Sequence, residues 1–221
     1  MRKLKGGVFL SLDGVIQAPG GPSEDPTGGF THGGWIAGMF DEGIGPTLGA
    51  LFTPPYDLLL GRRTYDIFAA HWPYATGDDA PMGEALTAAG KYVLSGSDLT
   101  TDWANTTRLG SIEEVAKLKA GDGPDLLIQG SSTLYPALLA AGLLDELTLM
   151  TFPIVLGTGK RLFGDGTPAG ALKLTSSHVT EAGTVIATYV PAGPPPVGDF
   201  GIANQSPEEQ ARQRRMAEGS W

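Results

Sequence analysis

The sequence predicts an α/β fold: a mostly parallel central sheet with an antiparallel edge and helices on both faces. Three observations predict it. Short apolar runs alternate with segments of helical spacing over the first two thirds of the chain. Three strand-like segments then follow one another without an intervening helix. Several strands also end on Gly- and Ser-rich junctions of the kind that open the next element.

Taken in order, residues 3–10 read as a first strand, followed over residues 11–34 by a loop rich in Gly and Pro that includes Pro19-Gly20-Gly21-Pro22. A loop of that length in a compact domain is commonly a lid or a binding loop. Residues 35–51 carry apolar side chains at helical spacing (Trp35, Ile36, Met39, Phe40, Ile44), interrupted by Gly43, Gly45 and Pro46. Asp57-Leu58-Leu59-Leu60 is a short buried strand, and Gly61-Arg62-Arg63-Thr64 leads from it into a helix running to Ala70. A helix over 81–89 precedes a strand over 91–94 that ends at Ser95-Gly96-Ser97. Ser111 is placed to cap a helix over 111–120, with Glu113 and Glu114 matching the positive end of its dipole. A strand over 125–129 and a helix over 131–141 follow, then strands over 146–154, 172–179 and 184–190, the last two joined by a hairpin-type turn at Glu181-Ala182-Gly183. After Pro191 the chain becomes Pro-rich and then polar, so residues 1–190 are expected to form the domain. Residues 191–221 are expected to be a tail, disordered or forming a short surface helix.

Composition bounds the function. At 221 residues and 41% hydrophobic, the chain suits a domain with a sizeable core. It has no run long enough for a membrane helix, and its first apolar stretch is too short for a signal peptide, so the expected location is the cytoplasm. The absence of cysteine removes disulfides, thiolate metal sites and cysteine nucleophiles. Fifteen basic against twenty-four acidic residues give a net charge of −9, which argues against nucleic-acid and anionic-membrane partners. An acidic protein that binds an anionic small molecule must gather its few cations locally. Arg62 and Arg63 are the pair that stands out, against the plain alternative of two solvated surface arginines.

The chemistry is expected at three strand ends: Gly61-Arg62-Arg63-Thr64, Ser95-Gly96-Ser97 and Gly130-Ser131-Ser132-Thr133. In an α/β sheet ligands bind at the carboxyl ends of the strands, and a helix N-terminus offers free amides and partial positive charge to a phosphate. Glycine allows close backbone approach there, and hydroxyls add donors. Each junction alone is an ordinary turn with a cap; together, with paired arginines, they point to a dinucleotide phosphate site. No G-x-G-x-x-G, P-loop, G-x-S-x-G or H-E-x-x-H occurs, and His32, His71 and His178 show no ligand spacing, so no metal is expected.

Five segments, in order, then resemble the dihydrofolate-reductase-like superfamily. The nearest match is the reductase domain of the bacterial riboflavin-biosynthesis deaminase–reductase, in its stand-alone branch. They are Ser11-Leu12-Asp13-Gly14-Val15-Ile16; Leu60-Gly61-Arg62-Arg63-Thr64-Tyr65; Val93-Leu94-Ser95-Gly96-Ser97; Leu127-Ile128-Gln129-Gly130-Ser131-Ser132-Thr133-Leu134-Tyr135; and residues 153–163, Pro-Ile-Val-Leu-Gly-Thr-Gly-Lys-Arg-Leu-Phe. The resemblance covers roughly residues 3–190 and implies a three-layer fold with NADPH bound across the sheet. It places Gly61, Arg62, Arg63 and Thr64 at the phosphates and Ser95 with Ser97 near the adenosine 2′-phosphate. Gln129, Gly130, Ser131, Ser132 and Thr133 would cradle the pyrophosphate, and residues 11–16 would line the nicotinamide. No deaminase zinc signature is present.

The expected activity is hydride transfer from NADPH to a small heterocyclic substrate, pterin-like or pyrimidine-like. The alternatives are a true dihydrofolate reductase and an NADPH-binding protein without turnover. Two carboxylates are candidates for the proton donor. Asp13 sits in the segment expected at the nicotinamide, or else merely caps the turn with Gly14. Asp41 follows Trp35 on the expected helix, or else faces solvent. A homodimer formed through the late strands is expected from the resemblance. The apolar run 147–155 would be its surface, unless that run is a central strand covered on both faces.

Overall fold

A computed structural model describes residues 1–100, 102–198 and 206–220. Eight strands form one sheet among the described residues: β1 (Leu4–Ser11), β2 (Tyr56–Gly61), β3 (Lys91–Leu94), β4 (Thr106–Leu109), β5 (Asp125–Ile128), β6 (Glu146–Phe152), β7 (Leu172–Val179) and β8 (Val185–Pro191). Their order is β4-β3-β2-β5-β1-β6-β8-β7. From β4 to β6 every neighbouring pair is parallel, and the β6–β8 and β8–β7 pairs are antiparallel. The helices are α1 (Gly45–Leu51), α2 (Arg62–His71), α3 (Ala80–Ala88), α4 (Ile112–Ala120), α5 (Leu134–Ala140) and α6 (Pro207–Ala217).

Alternation along the strands sorts the core into two faces. Leu59 of β2 and Leu126 and Ile128 of β5 join a cluster with Val115 of α4 and Tyr135 and Leu138 of α5. Their neighbours Leu58, Leu60 and Leu127 turn to the other face, among Tyr65 and Ala69 of α2 and Leu86 of α3. A third cluster joins Met150 and Phe152 of β6 to Val15, Phe30, Trp35 and Ile36 from the long loop and to Ile44. Near its start β1 carries Gly6, where a Cβ would meet the Tyr135 ring at 2.8 Å, so glycine there is what lets α5 lie close on the sheet.

Three expectations change. Residues 35–51 are not one helix: turns occupy 35–39, a 3₁₀ turn spans Glu42–Ile44, and the α-helix begins at Gly45. Trp35, Ile36 and Ile44 are buried as their spacing implied, yet the glycines break the helix that would have carried them. Ser95-Gly96-Ser97 leads not into a helix but through a loop into the edge strand β4, whose Thr-Thr-Arg-Leu carries too few apolar residues to reveal itself. Residues 147–152 of the 147–155 run lie in β6, a central strand between β1 and β8 where Leu147, Leu149, Met150 and Phe152 are buried, and the run continues past the strand to an exposed Val155. The tail contains the surface helix α6, capped by Ser206 Oγ accepting from Glu209 N, while Gln205 lies outside the described residues.

Candidate active site

A cleft of about 710 Å³ opens at the carboxyl ends of β1, β2, β3 and β5, the place where strand ends in a parallel sheet splay apart. Gly61, Arg62, Arg63, Thr64, Ser95, Ser97, Gln129, Gly130, Ser131, Ser132 and Thr133 all line it. The structure thus brings together the eleven residues expected at the phosphates, whereas of residues 11–16, expected at the nicotinamide, only Ile16 lines the cleft. A smaller depression of about 450 Å³, lined by Lys5, Tyr56, Asp125 and Glu146 among others, holds none of them.

On one wall, β2 and β5 end side by side, with Gly61 N donating to Gly130 O at 3.1 Å. Neither glycine has room for a side chain: a Cβ on Gly61 would meet Ser131 Oγ at 2.2 Å, and one on Gly130 would meet Thr64 Oγ1 at 2.8 Å. Gly130 also has φ +124°, which L side chains rarely adopt. No side chain caps the N-terminus of α2, so its first-turn amides and partial positive charge face the cleft region. Ser131 Oγ and Thr133 Oγ1 lie 2.9 Å apart nearby. The first turn of α5 starts only at Leu134, three residues later than the spacing suggested.

The two arginines differ. The Arg62 guanidinium clasps Asp66, with Nε at 2.9 Å from Oδ2, and also donates to Asp98 O and Thr100 Oγ1, which ties the 97–100 loop to α2. Arg63 is exposed and makes no hydrogen bond or ion pair with another described residue. Ser95 is buried and is held within its own bend, donating from Oγ to Ser97 O at 2.7 Å. Gln129 Nε2 is buried without a partner among the described residues, beside Gly7 on the sheet floor. Uncommitted amides, a free guanidinium, hydroxyls and an orphaned amide donor suit a ligand rich in phosphate oxygens and carbonyls.

The opposite wall is the loop after β1, and there polar groups satisfy one another. Gln17 is the hub: Nε2 donates to Asp25 O at 2.8 Å and Thr27 O at 2.9 Å, Oε1 accepts from Lys160 N, and its carbonyl accepts from Trp35 Nε1. Lys160 Nζ pairs with the Asp25 carboxylate and donates to Thr27 Oγ1. Burial would raise the Asp25 carboxyl, but the hydrogen bonds from Lys160 and Thr27 outweigh it and hold the group below its ordinary value. The Gly157-Thr158-Gly159 turn is a packing bend, since a Cβ on Gly159 would meet Val15 at 2.6 Å.

Neither expected proton donor faces the cleft. Asp13 lies outside its wall; its carboxylate accepts from Leu156 N at 3.0 Å, Gly157 N at 2.8 Å and Ser11 Oγ at 2.7 Å, with Arg161 at 3.6 Å. Those bonds, led by Leu156, hold the carboxyl at about 2. A carboxyl so acidic has no proton to give near neutral pH. Asp41 caps the 3₁₀ turn at Gly43 N and accepts from Ala182 N at 2.7 Å, which lowers its pKa, and it too is outside the cleft wall. Trp35 packs edge-on to Phe152. The plain alternatives also change in detail: Asp13 anchors the 156–157 backbone rather than its own turn with Gly14, and Asp41 caps a turn rather than facing solvent from a helix. What sequence reasoning missed is Glu24, which lines the cleft from the loop.

A family model described as RibD C-terminal domain matches residues 3–188. The chain belongs to the RibD C-terminal domain family. It is 28% identical over 189 residues to an uncharacterized protein, YyaP, of Bacillus subtilis, covering 82% of this chain and 91% of that one. Its fold resembles a putative riboflavin biosynthesis protein from Shewanella sp. PV-4, with 22% identity, a TM-score of 0.59, and coverage of 86% of this chain and 99% of that one. It also resembles dihydrofolate reductase from Enterococcus faecalis, solved with NADP(H) and RAB-propyl, at 17% identity and a TM-score of 0.52 over 86% and 96% of the two chains. These folds give the chain a dihydrofolate-reductase-like architecture. Among the described residues, no helix is long and apolar enough to cross a membrane.

Proposed function

We propose that this protein is a cytoplasmic NADPH-dependent reductase acting on a small heterocycle, pterin-like or pyrimidine-like. The observation that carries the reading is the convergence of both glycine junctions and the free Arg63 on one cleft. The α2 amides, Thr64, Ser131 and Thr133 would hold the phosphates. Arg63, the cleft cation with no described partner, would meet the 2′-phosphate that distinguishes NADPH from NADH. When bound, NADPH supplies a hydride from its nicotinamide ring. The chain's own contribution would be to flank that ring and the acceptor with cleft residues such as Gly7, Val8 and Ile16, to keep the phosphates at the arginine end, and to deliver a proton. Arg63, at the α2 end of the cleft, would attract phosphates, while at the loop end Lys160 and Asp25 neutralise each other.

The test is NADPH oxidation by the purified protein against a panel of pterins, pyrimidines and quinones. Turnover of a pterin or pyrimidine supports the reading; tight NADPH binding with no turnover of any of them would replace it with a non-catalytic binding role. We further propose a homodimer through the antiparallel edge, where Leu174 of β7 and Val179 and Val185 near its hairpin are exposed. Light scattering that gave a single chain of 23.0 kDa at micromolar concentration would reject it.

A further inference from the structure

Reduction of a C=N or C=O bond by hydride leaves a nitrogen or oxygen that must gain a proton, and the two carboxylates the sequence offered are occupied elsewhere. Two carboxylates line the cleft among the described residues, Glu24 and Asp25, both on the loop wall. Asp25 is consumed by its ion pair with Lys160 and its hydrogen bonds from Thr27. Glu24 is held by one oxygen only: Oε2 accepts from Gly20 N at 2.7 Å and Gly21 N at 3.2 Å, while Oε1 has no hydrogen bond to a described residue. The Gly20–Gly21 turn therefore fixes the carboxyl at the cleft wall and leaves its second oxygen available.

Resting on the reductase reading above, we propose that Glu24 is the proton donor of this cleft. Its setting favours the protonated form. Burial in the loop pushes the carboxyl above its usual value and Asp25 beside it adds to the rise, against the lowering by the Gly20 and Gly21 amides. The other charges that share the cleft are Lys160, neutralised by Asp25, and Arg62 and Arg63 on the α2 wall. In the step, the carbon of the acceptor C=N bond gains hydride from NADPH and the C=N π bond breaks. The nitrogen takes the proton from the Glu24 carboxyl, NADP⁺ and the reduced heterocycle result, and the Glu24 carboxylate regains a proton from solvent.

The experiment compares the parent with Glu24→Gln and Glu24→Asp, using 7,8-dihydropterin as acceptor with the pyrimidine and quinone panel beside it. Gln keeps an acceptor for the Gly20 amide, so folding is preserved. Three readouts are taken: NADPH affinity by fluorescence titration, single-turnover hydride transfer against pH, and ¹³C titration of the Glu24 carboxyl, identified by its loss in Glu24→Gln. The expected result is NADPH affinity within about twofold of the parent, transfer slowed about thirtyfold or more in Glu24→Gln at pH 7 with its acidic-group pH limb gone, and partial rescue in Glu24→Asp. The carboxyl should titrate above 4.5, its ordinary value. A midpoint at or below that value, or a Glu24→Gln rate within about threefold of the parent with an unchanged pH profile, overturns the assignment while the reductase reading stands. A parent that oxidises NADPH with none of the acceptors brings down both.

Discussion

On the wall made by residues 61–64 and 130–133, no side chain caps α2, Arg63 has no partner among the described residues, and the Ser131 and Thr133 hydroxyls bond each other. On the facing wall, Gln17, Asp25, Thr27 and Lys160 satisfy each other almost completely. The first wall is built around absences: a Cβ at Gly61 or Gly130 would strike Ser131 or Thr64. The second is built around contacts that fasten a long loop to the segment after β6. The difference teaches that a motif can mark either a place kept open for a ligand or a place closed by the fold itself. Asp13 shows the second kind: its segment resembles a cofactor-lining motif, yet its carboxylate binds the backbone of residues 156–157.

Breaking the open wall should have the largest effect. Gly61→Ala puts a methyl group where Ser131 Oγ now lies. It is expected to weaken NADPH binding by about a hundredfold and to cost about 1–3 kcal/mol of stability through overpacking. Fluorescence titration and thermal melts check both parts; unaltered NADPH binding would mean the phosphates do not sit over this glycine.

Breaking the contacts that fasten the loop behind the closed wall should affect stability instead. Asp13→Asn leaves one of two backbone donors facing an amide N–H₂, so a loss of about 1–3 kcal/mol and a melting point lower by roughly 2–10 °C are expected. Because the carboxyl is held near 2 in the folded chain against 3.8 ordinarily, its contribution is complete above about pH 4 and is lost as pH falls toward 2. The variant should therefore lack part of the parent's acid destabilisation in that window. A hydride-transfer rate with a changed pH profile near neutrality would return Asp13 to the chemistry. The smallest effect belongs to the tail: ending the chain at Pro194 should move the melting point by less than about 2 °C, and a larger loss would show that α6 packs on the domain or on a second copy.

The sheet was legible because strands buried on both faces, as β2, β5 and β6 are, show as near-continuous apolar runs such as Leu58-Leu59-Leu60. β4 was not, because an edge strand with a single buried residue gives no pattern. The broken 35–51 segment shows that apolar spacing reports burial, and that Gly43, Gly45 and Pro46 decide whether a helix carries it. At the site, glycine beside hydroxyls and arginines pointed to the open wall. Glu24 was invisible, since a carboxylate in a Gly- and Pro-rich loop looks solvated until the loop is seen to fold over a cleft. Asp13 and Asp41 misled because their backbone partners, at 156–157 and 182, lie over 140 residues away.

The central claim is that the open wall holds NADPH by its phosphates with Arg63 at the 2′-phosphate. Calorimetric titration of NADPH and NADH into the parent and Arg63→Ala tests it directly. The account predicts that the variant loses about tenfold or more in NADPH affinity, in keeping with a charge-assisted contact, and barely changes for NADH. Equal losses for the two cofactors, or a parent that binds NADH as tightly as NADPH, would contradict it.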